Sequence, residues 1–574
     1  MRVGAPSATP LRVNGLAVRY PGKKEPSLDG ISVEVDAGER VGVAGRTGAG
    51  KSTLALAAAG FIPRVVRATL HGAVTIEGTD VASAAAGALL GRVGIVFATP
   101  ANQLSASKLT VREELAFGLE NLGVPRAEMD TRIDATLARL AIGHLADREP
   151  FALSGGEQQR VAIASIVTMG TSVLVLDEPT AQLDPGGTDA VARLLDELAG
   201  AGASILCVEH DPSVLGRMDR CLILEAGRTI ALDRPGAALV RAGSVVGTAP
   251  PTLVRLAMAA SIDLSDAFDE VVIAAGLLAR GWRPETASAD GPTVDIPGWA
   301  PIRERPPIRL KIDGLVHRYP PGIEAVRGVS LAIEPGETVA ILGQNGSGKT
   351  TLVKHLNGLL RAAEGRVLLD GEAVGDRSIA QLAGMVGFVF QNPDEQLFER
   401  SVEREVSFGP RNLGTATADI GELVASSLAA VGLADQRSTN PYDLDLSRRK
   451  LVALAGVLAM NPAVLVLDEP TTGQDAEGIA HVGAIVGAMR AAGRSVVAIT
   501  HDMEFAGSHF SRIVVMREGV VVADGPPAIV FAPANRELLA STGLIPPPAA
   551  RIAARLGLGV VPPDVAGLLA ALRR

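Results

Sequence analysis

The sequence predicts two copies of one α/β domain, each with a parallel sheet whose strand ends gather a phosphate site. Three observations predict it. The glycine-rich loop Gly45-Arg46-Thr47-Gly48-Ala49-Gly50-Lys51-Ser52 follows the apolar run Val41–Ala44 and recurs as Gly343-Gln344-Asn345-Gly346-Ser347-Gly348-Lys349-Thr350 after Val339–Leu342. A second apolar run, Val173-Leu174-Val175-Leu176, ends in Asp177-Glu178-Pro179-Thr180 and recurs as Val464–Leu467 ending in Asp468-Glu469-Pro470-Thr471. His210-Asp211 follows the run Ile205–Val208, and His501-Asp502 follows Val496–Ile499. The loops are offset by 298 residues and the other two pairs by 291, so one unit occurs twice. Apolar strand, glycine-rich loop, helix and later apolar strands is the alternation of an α/β fold, where ligands sit at the carboxyl ends of the strands.

Composition narrows the class. At 574 residues the chain is long enough for three to four domains. Its net charge of −9 argues against a nucleic-acid binder, which usually carries a basic patch. The mean hydropathy is +0.27, yet apolar runs such as Val271–Ala279 stop short of the ~18 residues that a membrane span needs. The N-terminus shows no charged-then-apolar signal peptide. Cys207 and Cys221 sit in apolar strand-like runs and read as buried thiols.

Both loops match G-x-x-x-x-G-K-[ST] in full. Gly45, Gly48 and Gly50, and likewise Gly343, Gly346 and Gly348, let successive N–H groups curl round phosphates. Lys51 and Lys349 reach the β- and γ-phosphates of a nucleotide, and Ser52 and Thr350 offer hydroxyls to Mg²⁺, with Thr53 and Thr351 following in each loop. Asp177 and Asp468 close buried strands, where such an aspartate holds Mg²⁺. Glu178 and Glu469, one residue on, are placed to orient or deprotonate an attacking water. Tyr20 and Tyr319 occupy the same repeat position in Arg-Tyr-Pro, and the chain has only three tyrosines, which points to adenine stacking.

Leu153-Ser154-Gly155-Gly156-Glu157-Gln158-Gln159-Arg160 is polar, glycine-rich and runs into the apolar helical pattern Val161–Ala164. Ser154 reads as an N-cap with Glu157 closing a capping box, and a helix start of this kind attracts an anion.

That string, with the two loops, resembles the signature sequence of ABC-type ATPases. The resemblance covers nearly both units. It implies two P-loop ABC nucleotide-binding domains, each a RecA-like α/β core with an antiparallel β subdomain and an α-helical signature subdomain. It implies ATP hydrolysis with ATP and Mg²⁺, His210 and His501 as switch histidines on the γ-phosphate, and Gln391 as a further Mg²⁺ and water contact. It also implies that the two domains pair head to tail, so that Ser154, Gly155, Gly156 and Glu157 press on an ATP held by the other unit. Fusion in one chain makes that pairing intramolecular.

Phe388-Val389-Phe390-Gln391-Asn392-Pro393-Asp394-Glu395-Gln396-Leu397-Phe398 further resembles the Gln-loop of energy-coupling factor (ECF) transporter ATPases. This implies import of a vitamin or transition-metal ion, with Asp394, Glu395 and Gln396 beside a transmembrane coupling protein. The solute would be bound by a separate membrane protein, and the chain would sit peripherally on the cytoplasmic face of the membrane. The alternative is a tandem ABC ATPase acting on the ribosome, but those chains tend to be basic with a charged helical linker. An SMC-like DNA protein would need a long coiled-coil insert.

The expected boundaries are 1–245 for the first domain, 246–305 for a helical appendage and Pro-rich linker, 306–545 for the second domain and 546–574 for a helical tail. Pro251-x-x-x-Arg255 is echoed by Pro547-x-x-x-Arg551. Two departures break the repeat. Ala98 stands opposite Gln391. The second signature has no glycines: Asp445-Leu446-Ser447-Arg448 stands opposite Ser154–Glu157 at an offset of 291, or Arg448-Arg449 opposite the glycines if the serines are matched. Both defects fall on the composite site of Lys51, leaving the site of Lys349, Gln391, Asp468, Glu469 and His501 complete.

Overall fold

Long runs of Val, Ile and Leu without polar interruption make strands that are buried on both faces. In the computed structural model, which describes residues 9–85, 87–181, 183, 185–246, 250–284, 309–320, 322–558, 561–562 and 564–573, these runs form the centres of two sheets. In unit 1 the sheet order is Arg228–Asp233, Arg220–Glu225, Arg40–Gly45, Ser204–Val208, Val173–Asp177, Val93–Val96. All neighbours are parallel except the edge strand Arg228–Asp233. Unit 2 repeats it with Val386–Val389, Val464–Asp468, Ser495–Ile499, Thr338–Leu342, Arg512–Arg517 and Val520–Gly525. Asp177 pairs in register with Val208 and Asp468 with Ile499, which sets each acid level with the strand end that leads to the histidine.

A four-stranded antiparallel sheet covers one face in each unit, built on Leu11–Arg19 and on Leu310–Tyr319. The helix that follows each glycine-rich loop is packed between the two sheets. Leu54, Ala57 and Ala58 share a core with Leu11 and Val43, and Leu352 and Val353 with Leu310 and Ile341. The opposite face carries helices Val111–Asn121, Arg126–Arg139 and Gly155–Met169, repeated as Val402–Asn412, Thr417–Ala430 and Leu446–Ala459. The α/β core, antiparallel β subdomain and helical subdomain are those the sequence predicts. Cys207 and Cys221 are buried free thiols.

The chain divides into two compact units, Met1–Asp269 and Glu270–Arg574. The apolar pattern at 253–278 is two helices, Thr252–Ala259 and Glu270–Ala279, interrupted by a turn at Leu264–Asp266. The proline echo has a structural meaning, since Thr252–Ala259 and Pro548–Arg555 are both eight-residue helices with proline at the N-cap. Within unit 2, helix Glu270–Ala279 packs on Pro548–Arg555, and Arg551 Nε donates to Glu270 Oε1 at 2.7 Å. The short strand Arg283–Pro284 pairs with Leu572–Arg573. Most of the Pro-rich tract read as a linker, from residue 285 to 308, lies outside the described residues. Among the described residues no helix is long and apolar enough to cross a membrane.

Candidate active site

The glycines of both loops answer to local geometry. Gly45 and Gly343 have φ of 152° and 147°, and a Cβ on either would lie 2.2 Å from a backbone oxygen, of Leu224 or Met516. Gly50 and Gly348 also have positive φ, and a Cβ would meet the carbonyls of Ser27 at 2.5 Å and Ala325 at 2.2 Å. Gly48 and Gly346 adopt positive φ with open space around them. Lys51 Nζ donates to the carbonyls of Gly45 and Arg46, both at 3.0 Å, and Lys349 Nζ to those of Gly343 and Gln344 at 2.6 and 2.8 Å. Each ammonium is thus held inside the curl of its own loop. The Tyr20 hydroxyl meets Thr53 Oγ1 at 3.2 Å and Tyr319 meets Thr351 Oγ1 at 3.3 Å, which anchors both rings beside the loop helices. Tyr319 is exposed, and Tyr20 is half-buried.

Asp177 and Asp468 are buried at their strand ends. Burial, reinforced by the neighbouring Glu178 and Glu469, pushes both carboxyls up to about 6. Ser52 Oγ donates to Asp177 Oδ1 at 3.2 Å, joining the two predicted Mg²⁺ groups of unit 1. Asp468 Oδ1 is buried without a hydrogen-bond partner, one residue from Glu469. A buried oxygen left in that condition is costly unless a cation or water meets it, so the residues present fit a divalent ion. Gln391 is exposed just beyond strand Val386–Val389, and half-buried Ala98 holds the corresponding place after Val93–Val96.

Glu178 and Glu469 both have φ of 50°, a left-handed conformation that costs a residue with a Cβ about 1–2 kcal/mol. Each is fixed there because its N–H bonds across the sheet, to Val208 and Ile499, both at 3.0 Å. The carboxylates face the histidines: His210 Nε2 lies 3.2 Å from Glu178 Oε1, and His501 Nε2 lies 3.0 Å from Glu469 Oε1. Burial works against ionisation of both glutamates, but the histidine and the loop lysine outweigh it and hold them below the usual carboxylate range. The two arrangements then diverge. Glu469 also accepts the His501 N–H at 3.2 Å, and its side chain is 6% exposed. In unit 1 that N–H is taken by Glu209 at 2.7 Å, and the Glu178 side chain is 25% exposed. Glu209 is buried, bonded to Thr180 and to the Asp211 N–H, and burial pushes its carboxyl up to about 7. Thr500 stands in its place in unit 2. Glu209 went unnoticed in the sequence, although it immediately precedes a predicted histidine.

The two signature stretches are also placed by their caps. Ser154 is the N-cap of helix Gly155–Met169 with the capping box closed by Glu157. Asp445 is the N-cap of helix Leu446–Ala459, its carboxylate accepting from Arg448 N at 2.9 Å. The matching caps select the alignment at offset 291. Leu446 and Ser447 therefore replace Gly155 and Gly156, and a carboxylate replaces the serine hydroxyl. Leu446 is 43% exposed. At this helix start the side chains of Leu446 and Ser447 stand where unit 1 offers two glycines.

Asp394 and Glu395 are exposed, but Gln396 turns inward. Its Oε1 accepts the Phe390 N–H and its Nε2 donates to the Ala453 carbonyl, both at 3.3 Å. Gln103 makes the same brace in unit 1, to Phe97 N at 3.1 Å and Ala162 O at 2.8 Å. The two Gln396 bonds tie the Gln-loop to the signature helix. Asp394 bonds Arg449 of that helix at 2.7 Å.

Fold and site together define a tandem P-loop nucleotide hydrolase. The sequence profile of the ABC transporter family matches residues 28–181 and 326–472, and the chain belongs to that family as a tandem ABC ATPase. A chain of Methanosarcina acetivorans, provisionally named an ABC transporter ATP-binding protein, is 37% identical over 554 residues, covering 95% of this chain and 90% of its own length. A similarly named chain of Caldanaerobacter subterraneus is 32% identical over 561 residues, covering 95% and 96%. Among solved structures, cbiO1 from Clostridium perfringens, part of the ABC transporter complex cbiONQ, is 36% identical over 40% of this chain and 93% of its own, with a TM-score of 0.37.

Proposed function

We propose that this chain is the ATP-hydrolysing subunit of an ECF-type importer, driving uptake of a vitamin or transition-metal ion through a separate membrane complex. The observation that carries the reading is the Gln-loop from Phe388 to Phe398, with Asp394 and Glu395 exposed at its tip. Beside it Phe398 and Phe408 form an exposed edge-to-face pair with centroids 4.7 Å apart, and Tyr442 lies close by, its hydroxyl donating to the Leu397 carbonyl at 2.6 Å. Exposed aromatics next to a charged loop suit a helix of a transmembrane coupling protein. The relatives' names, given for ABC transporters, favour transport and lend no support to a ribosomal role.

In this reading the domains retain the boundaries expected above and pair head to tail. The complete site joins the loop of unit 2 to Ser154, Gly155, Gly156 and Glu157. Lys349 neutralises the β- and γ-phosphates, and Tyr319 carries the adenine. Thr350, Asp468 and Gln391 would hold Mg²⁺, which when bound neutralises charge developing on the phosphates. Glu469, ionised and braced by His501, orients the attacking water; a carboxylate held below its usual range is a firm charge anchor and a weak base. Lys51, Ser52, Asp177, Glu178, His210 and Tyr20 form the corresponding site of unit 1. That site faces the Asp445 cap and lacks a glutamine at Ala98, so it binds ATP and turns over slowly.

The test is purification of the tagged chain from its native membrane fraction. The account expects integral membrane proteins to copurify and the chain to be absent from ribosome pellets. Co-sedimentation with ribosomes and no membrane partner would overturn it.

A further inference from the structure

One buried cation beside Glu469 has no part in the chemistry above. Lys450 lies on helix Leu446–Ala459, 7% exposed. Its Nζ donates to the carbonyls of Glu469 at 3.2 Å and Thr472 at 2.7 Å. One turn earlier on the helix, Ser447 Oγ donates to Gln474 Oε1 at 2.6 Å, and Gln474 Nε2 returns a bond to the Ser447 carbonyl at 3.3 Å. The start of the helix is therefore latched to both ends of the turn from Glu469 to Gln474.

Among the described residues of unit 1 this latch has no counterpart. Gln159 stands at the position of Lys450, and its amide donates to the Phe97 carbonyl at 3.4 Å, while its Oε1 is buried without a partner. Gly156 stands at the position of Ser447. The Glu178 carbonyl takes the Ala181 N–H at 3.3 Å instead of a lysine.

The left-handed turn at Glu469 needs an external hold, since its backbone gains by relaxing. Its N–H is pinned by Ile499 and its carbonyl by Lys450, so the peptides on both sides are fixed. A buried lysine is expensive to keep, and burial lowers this one to about 8. We propose that Lys450 is a positioning residue for Glu469, holding the Glu469–Thr472 turn against the start of helix Leu446–Ala459 so that the carboxylate stays aimed at its water. This rests on the reading of Glu469 as the group that orients water.

The experiment compares Lys450→Gln, which installs the residue of unit 1, with Lys450→Met, which keeps the length of the stem, and with Glu469→Gln, all in the full chain. Steady-state kcat and KM for ATP and the Tm are measured together. Misaiming a catalytic group costs on the order of tenfold to a hundredfold, so both lysine variants are expected to lose at least about tenfold in kcat with KM within about twofold. Their Tm should fall only by a few degrees, because the Glu469 and Thr472 carbonyls lose their donor while the burial cost of a charge is removed. A kcat within about twofold of the parent in a folded variant would overturn the proposal. So would parallel losses of kcat, ATP affinity and Tm in both variants, which would make Lys450 merely structural. Unimpaired hydrolysis by Glu469→Gln would remove the reading of Glu469 itself, whereas a silent Glu469→Gln beside normal Lys450 variants would fail this inference alone.

Discussion

Replacing Gln396 by alanine separates a structural brace from a partner contact. The side chain satisfies one half-buried N–H, of Phe390, and one carbonyl, of Ala453, each at 3.3 Å. Alanine leaves both without their partner. The cost of an unsatisfied buried group is about 1–3 kcal/mol, and long bonds with some water access belong at the low end, giving about 2 kcal/mol in all. For a domain of this size, about 2–4 °C is lost per kcal/mol, so the transition of unit 2 should fall by about 4–8 °C. Gln396→Glu should fall too, because a carboxylate would then face the Ala453 carbonyl. Gln103→Ala should cost at least as much in unit 1, where the bonds are 3.1 and 2.8 Å. Calorimetry of the full chain reads all three variants. A shift within about 1 °C for Gln396→Ala would refute the brace and return the side chain to the surface role implied by the sequence resemblance.

Asp394→Ala, which breaks an exposed ion pair with Arg449, should leave ATPase activity of the isolated chain within about twofold, since exposed pairs contribute less than about 1 kcal/mol, while lowering transport in the assembled complex. A more than tenfold loss of isolated ATPase, about 1.4 kcal/mol, would contradict the coupling assignment. Asp177 and Asp468, raised to about 6 by burial first and then by their glutamate neighbours, are protonated below that pH. Apparent Mg²⁺ affinity in ATP hydrolysis should therefore weaken by about tenfold per pH unit below 6. The sign for stability is opposite: these acids have raised folded values, so their penalty is relieved as pH falls through 6, and they should not destabilise the metal-free chain. Mg²⁺ titrations at pH 5, 6 and 7 that superimpose would contradict this.

The loops, the acid-ended strands and the histidines were legible because each is a contiguous string whose chemistry depends on local order. A parallel sheet followed from apolar runs alternating with helices, but the order of its strands did not. The brace at Gln396 was not legible, because one of its partners lies 57 residues away on another helix. Lys450 was equally hidden: in sequence it is one more cation after Arg448 and Arg449, and only packing shows it pointing into the core. The second signature had two possible alignments until the Asp445 cap matched that of Ser154. The pairing of Arg283–Pro284 with Leu572–Arg573 joins segments from opposite ends of unit 2, which periodicity cannot connect. Glu209 shows the limit from the other side, since its effect on Glu178 depends on which carboxylate captures a single backbone N–H.

The central claim is that the two ATP sites are unequal and that Glu469 serves the working one. Steady-state ATPase of Glu469→Gln and Glu178→Gln, measured side by side, tests it most directly. Removal of one preorganised group costs on the order of 10²–10³ in rate, so Glu469→Gln should abolish most hydrolysis and trap ATP, while Glu178→Gln should cost only about a few-fold. Equal losses would mean two equivalent sites, and a larger loss from Glu178→Gln would mean that the working site is that of Lys51.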